Sequence, residues 1–231
     1  MSIKYLPLFG ALAIAGPAFG ITVNMTDFTY TPPAGVSVTN TGGGPSYAGR
    51  AGQFSGQLGG AASATPTATF GPTATAAEMS FTSYCAELGQ SFLFNTSYEY
   101  TLVSGASYFG AKVDDLSRLF TAAQSLVVDP FVSAAMQAGI WEIIYEQGSV
   151  FDLTSGNFTG ASSTPGGAAA FATINSFLLN LGQYSTSYRI DVLTNGAQQD
   201  FIVPTIPEPG TWALLAAGLG IVGLMARRRK V

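Results

Sequence analysis

YEYTLVSGASYFGAKVDDLSRLFTAAQSLVVDPFVSAAMQAGIWEIIY, residues 98–145, is where the chain changes its period. Tyr98 to Leu102 alternates residue by residue, the pattern of a strand with one buried face. From Leu116 onward the apolar residues recur at helical spacing. Leu116, Leu119, Phe120, Ala123, Leu126 and Val127 share one face, and Asp114 and Asp115 precede them at the positive end of a helix. Pro130 suits the first turn of a second helix, expected to run to about Tyr145 with Met136, Ile140, Ile143 and Ile144 on its apolar face.

Upstream of this stretch the chain reads as strands and turns. Alternation recurs at Phe28–Tyr30, Val36–Val38 and Met79–Tyr84. Residues 42–75 are rich in Gly, Ala, Ser, Thr and Pro, and predict long loops around one short strand near Gln53–Leu58. Downstream, residues 148–167 read as a Gly/Ser/Thr loop. Ala168–Leu181 then predicts a third helix, with Phe171, Ile174, Leu178 and Leu181 on one stripe and Gly182 as its stop. Tyr188, Ile190 and Val192 alternate in a late strand, and Phe201–Val203 forms another. The expected fold is α+β: a β-rich, barrel- or sandwich-like domain over 21–203, with a helical insert of about three helices, plus one C-terminal transmembrane helix.

The chain is 47% hydrophobic and only 10% charged, against about 25% charged in ordinary soluble domains. Low charge with 28 glycines fits an exported, strand-rich protein. Between the termini only Arg50, Lys112, Arg118 and Arg189 face twelve carboxylates, a balance of −8. Such a domain has no basic footprint for nucleic-acid phosphates. The absence of histidine excludes Ser-His-Asp and Cys-His catalysis and histidine-based metal sites. No paired catalytic set is evident, so neither enzymatic activity nor a cofactor or metal is expected. Glu142 and Glu146, four apart, read as a solvated helix face.

Both ends carry address signals. The N-terminus places Lys4 before an apolar run from Leu6 to Ala15, with Ala18 and Gly20 at small-residue positions. That is a secretory signal peptide over 1–20, cleaved between Gly20 and Ile21 and implying passage through the secretion translocon. Near the C-terminus, Pro204, Pro207 and Pro209 keep the chain extended. Trp212 then opens an uncharged run to Ala226, followed by Arg227, Arg228, Arg229 and Lys230. A helix over 211–226 spans roughly 24 Å, short for a hydrocarbon core of about 30 Å. Trp212 suits one interface and the four cations the other, with the positive end cytoplasmic.

Pro207-Glu208-Pro209, a short apolar helix and a terminal arginine cluster together resemble the PEP-CTERM sorting signal. The resemblance implies an exosortase-type processing enzyme as partner. It also implies inner-membrane anchoring before processing, and then a place on the cell surface or in an exopolysaccharide matrix.

Two internal segments stand out. FTSYCAEL carries the chain's single cysteine, Cys85, and SAAMQAGIWEIIYEQG carries Gln137 one helical turn before Trp141. With Tyr84-Cys85 as one partner and Gln137…Trp141 as the other, they resemble the thioester (TQXA-type) domains of bacterial surface adhesins. That resemblance implies a Cys85–Gln137 thioester walled by Tyr84 and Trp141, reacting with a surface nucleophile. The plainer reading makes Cys85 a small buried hydrophobe, Gln137 a helix-boundary residue and Trp141 core. The chain would then be a non-covalent matrix component.

Overall fold

The computed structural model describes residues 20–58 and 79–206. Six strands close into an antiparallel barrel in the order β1 (Gly20–Phe28), β4 (Phe54–Leu58), β5 (Met79–Cys85), β9 (Phe201–Thr205), β8 (Arg189–Thr194), β6 (Ser97–Ser104). A second, three-stranded sheet runs β3 (Tyr47–Arg50), β2 (Gly35–Asn40), β7 (Phe158–Ala161). The helices are α1 (Gly105–Phe109), α2 (Lys112–Ala123), α3 (Pro130–Tyr145) and α4 (Pro165–Leu178). Of the two architectures expected, the barrel is the one formed. The insert departs from expectation: it holds a fourth, short helix, and it contributes β7 to the second sheet. The transmembrane segment expected at 211–226 lies outside the described residues, among which no helix is long and apolar enough to cross a membrane.

Side chains fill the barrel, as they must when only six strands close. Phe201 meets Phe54 and Tyr100 across the interior, with ring centroids 5.9 Å apart in both pairs. Gly56 leaves the space that Phe81 and Met25 occupy, since a Cβ there would stand 2.7 Å from Phe81. Cys85 pairs with Phe201 and therefore shares its face, while Tyr84 pairs with Ile202 and points the other way.

Helix α3 is the element around which the layers assemble. Asp129 caps it by accepting from Phe131 N–H and Val132 N–H at 2.8 and 2.9 Å, and Pro130 occupies its first turn. Every residue from Ser133 to Ile143 is buried. A helix apolar almost all round belongs in the middle of a protein. It contacts α2, α4, β2 and β7. Gly139 permits the close approach of α4: a Cβ there would lie 2.8 Å from Ile174.

Candidate functional site

One stripe of α3 stitches the helix to the barrel. Ser133, Gln137, Trp141 and Tyr145 recur every four residues and so lie along one side. Ser133 Oγ accepts Gln53 N–H at 2.7 Å, just before β4, where Gly52 lies too close to Ser133 to carry a side chain. Tyr145 OH accepts Leu88 N–H at 2.9 Å. Trp141 meets Tyr47 edge-on at 5.7 Å. Its indole N–H is buried and has no hydrogen-bond acceptor among the described residues.

Gln137 lies at the centre of the stripe. Its Oε1 accepts the Cys85 N–H at 2.8 Å, and its Nε2 donates to the Cys85 carbonyl at 2.9 Å. The structure thus brings together the two residues singled out from sequence. Both are buried, Gln137 completely, so it is not a helix-boundary residue. Both line a cavity of about 200 Å³ at the end of the barrel, walled by Phe54, Phe92, Phe94 and Trp141. Burial pushes the Cys85 thiol well up from its ordinary range, and the charge of Glu87 adds to that. Burial also raises the Tyr47 phenol, with Cys85 contributing.

Tyr84 is placed differently from its expected role. It sits on the face of β5 opposite Cys85 and is absent from the cavity lining. Its ring packs edge-on against Phe120 of α2 at 5.6 Å. Its hydroxyl donates to Gln124 Oε1 and accepts from Gln53 Nε2. The aromatic wall comes instead from Phe92 and Phe94, on the irregular segment after β5. Ser133 and Tyr145 also escaped the sequence reading, although their spacing from Gln137 carried the signal.

Glu142 and Glu146 are corrected by the structure: they are buried, not a solvated face. The segment after α3 folds back over the helix end and offers them its N–H groups. Glu142 Oε1 accepts Asp152 N–H at 2.7 Å, and Glu146 Oε2 accepts Asn157 N–H at 2.7 Å. Lys112 Nζ donates to the carbonyls of Ile144 and Glu146. Burial raises the Glu142 carboxyl to about 7, and its Oε2 has no hydrogen-bond partner among the described residues. Asp114 and Asp115 occupy the first turn of α2, as the helix dipole favours.

The barrel ends where the tail begins. Strand β9 closes at Thr205, slightly past the expected domain edge at 203, and only Ile206 is described beyond it. Residues 205–230 match the PEP-CTERM protein-sorting motif. The sorting motif therefore starts on the last residue of the barrel, without an intervening linker. It takes in Pro207, Glu208, Pro209, Trp212 and the Arg227–Lys230 cations, all outside the described residues. The motif implies export and processing by an exosortase. At the other end, β1 opens with Gly20 and Ile21, the pair flanking the expected cleavage, and residues 1–19 lie outside the described residues. No curated protein and no solved structure matches the chain.

Proposed function

We propose that this chain is an exported surface protein, sorted through its PEP-CTERM tail, that acts as a covalent adhesin through an internal thioester between Cys85 and Gln137. The observation that carries the reading is the reciprocal pair of hydrogen bonds between the Gln137 amide and the Cys85 backbone. A strand end and a capped, buried helix hold the partners, which supplies the effective concentration that an unfavourable condensation needs. Sγ attacks Cδ of Gln137, the Cδ–Nε2 bond breaks, and ammonia leaves with the thiol proton. Negative charge develops on Oε1, where Cys85 N–H already donates. Phe92, Phe94 and Trp141 restrict water, which delays hydrolysis until a nucleophile on another surface enters the cavity.

A second reading rests on the depth of the thiol. A buried, protonated Cys85 with Gln137 as a backbone pin also describes a non-covalent component of an exopolysaccharide matrix. Intact mass of the protein recovered outside the producing cell separates the two. The adhesin begins near Ile21, ends near Pro209, lacks one ammonia and incorporates methylamine at Gln137. A chain of the same ends with a free Cys85 thiol and an unmodified Gln137 leaves the matrix component.

A further inference from the structure

Attack by Cys85 on an amide needs a destination for the thiol proton. Thiolate is the nucleophile, yet this sulfur is buried beside a carboxylate and keeps its proton. The chain has no histidine. Among the described residues lining the cavity, Glu87 is the one carboxylate. Arg50 has no site for a further proton, and burial holds the Tyr47 phenol protonated.

Glu87 is held where the reaction would need it. The chain stays paired beyond β5, with Ala86 N–H donating to the Asp200 carbonyl at 2.9 Å. The chain bends at Ala86, just past the end of β5, and Cys85 and Glu87 both line the one cavity. Glu87 Oε1 accepts Asp200 N–H at 3.3 Å, and its carbonyl accepts from Gln199 Nε2 at 2.9 Å. Its Oε2 takes no hydrogen bond from a described residue. Burial raises the Glu87 carboxyl, against a partly offsetting hydrogen bond from Asp200 N–H, with the charge of Asp200 adding to the rise.

We infer that Glu87 is the proton relay of the Cys85–Gln137 condensation, an assignment that rests on the thioester reading above. As Sγ bonds to Cδ, the thiol proton passes to Glu87 Oε2. As the Cδ–Nε2 bond breaks, Glu87 returns that proton to Nε2. The products are the thioester, one ammonia and the carboxylate as it began.

The test uses the chain recovered from the producing cell. Isotope-labelled ammonia reopens the thioester and returns Gln137 as a labelled amide. After desalting, re-closure is followed by intact mass from about pH 5 to about pH 9, a span chosen to bracket a raised carboxyl. The wild-type rate is expected to rise as one carboxyl ionises and then level. Glu87→Gln is expected to re-close at least about tenfold more slowly, without that inflection, and Glu87→Asp to retain it at a reduced rate. Matching rates and pH profiles in wild type and Glu87→Gln overturn the relay and leave the thioester standing. A wild-type chain that never loses ammonia overturns both. If Glu87→Gln loses its circular-dichroism signature, Glu87→Asp decides: an unshifted profile at the wild-type rate overturns the relay.

Discussion

The Gln137 side chain and the Cys85 backbone satisfy each other, amide oxygen to N–H at 2.8 Å and amide nitrogen to carbonyl at 2.9 Å. The two residues of the proposed bond should therefore differ in what they do for stability. Cys85→Ala keeps both hydrogen bonds and removes only a sulfur, and should cost about 1 kcal/mol. Gln137→Ala leaves a buried N–H and a buried carbonyl without partners, and should cost about 2–4 kcal/mol. Both variants should lose methylamine labelling. Urea unfolding beside peptide mapping checks the pair, and equal stabilities would mean that the amide is not a structural pin.

Tyr84 separates packing from chemistry. Its hydroxyl bridges Gln53 and Gln124 on the face away from the cavity. Tyr84→Phe should lower stability by about 1–2 kcal/mol while methylamine labelling at Gln137 proceeds at the wild-type rate. A changed labelling rate in a folded Tyr84→Phe protein would return Tyr84 to the reacting cavity.

What the sequence disclosed depended on the range of the interaction. Helix α3 was readable to its ends, because Pro130 and the apolar run after it are local signals. Helix α2 was legible in the same way, through its single apolar stripe. The burial of Glu142 was not, since its partners come from a loop that folds back after the helix. Strands β3 and β7 were missed for a related reason. Each has four residues and lies in a Gly-rich stretch, and what makes β7 a strand is pairing with the distant β2. Barrel closure likewise depends on β1 meeting both β4 and β6, which alternation along one strand does not encode. Cys85 and Gln137 were found as two segments, but that Tyr84 turns away from their cavity depends on the face of β5 that Cys85 shares with Phe201.

Gly139 sets how closely α3 and α4 pack. A methyl there would meet Ile174 Cγ2 at 2.8 Å and Leu119 Cδ2 at 3.4 Å, both on fully buried side chains. Alanine gains about 1 kcal/mol of helix propensity over glycine. Overpacking costs about 1–3 kcal/mol and should prevail. Gly139→Ala is thus expected to melt below the wild type by differential scanning calorimetry, and a higher melting temperature would show that α4 yields.

The place where the sorting motif starts makes the tail separable from the fold. Thr205 is the last residue of β9 and pairs with Arg189. A chain ending at Ile206 keeps every barrel strand, so it should unfold at the same urea midpoint as the full-length protein. A chain ending at Val203 loses the Thr205 and Pro204 pairings with β8 and should unfold earlier. In the producing cell the Ile206 truncation should be recovered as a soluble, unanchored and unsorted protein. Surface display of that truncation would mean that residues before 206 also carry an address.

Glu142 gives the fold a pH dependence of definite sign. Its folded carboxyl titrates near 7, raised by burial and then by Glu146 and Asp152, against offsets from the Asp152 N–H and Lys112. In the unfolded chain it titrates near its ordinary 4.5. Between those values the folded state holds the extra proton, so stability present below 4.5 is lost as the pH rises to about 7. At about 1.4 kcal/mol per unit, the loss is at most about 3–4 kcal/mol. Asp152 acts in a different window. Its carboxyl is held down to about 2, chiefly by the Thr154 hydroxyl, so its contribution disappears only in strong acid. Glu142→Gln keeps an oxygen for Asp152 N–H and removes the titration. Urea unfolding at about pH 5 and about pH 8 should show a smaller difference for Glu142→Gln than for wild type, with the variant the more stable at the higher pH. An unchanged difference would place the titrating group elsewhere in the fold.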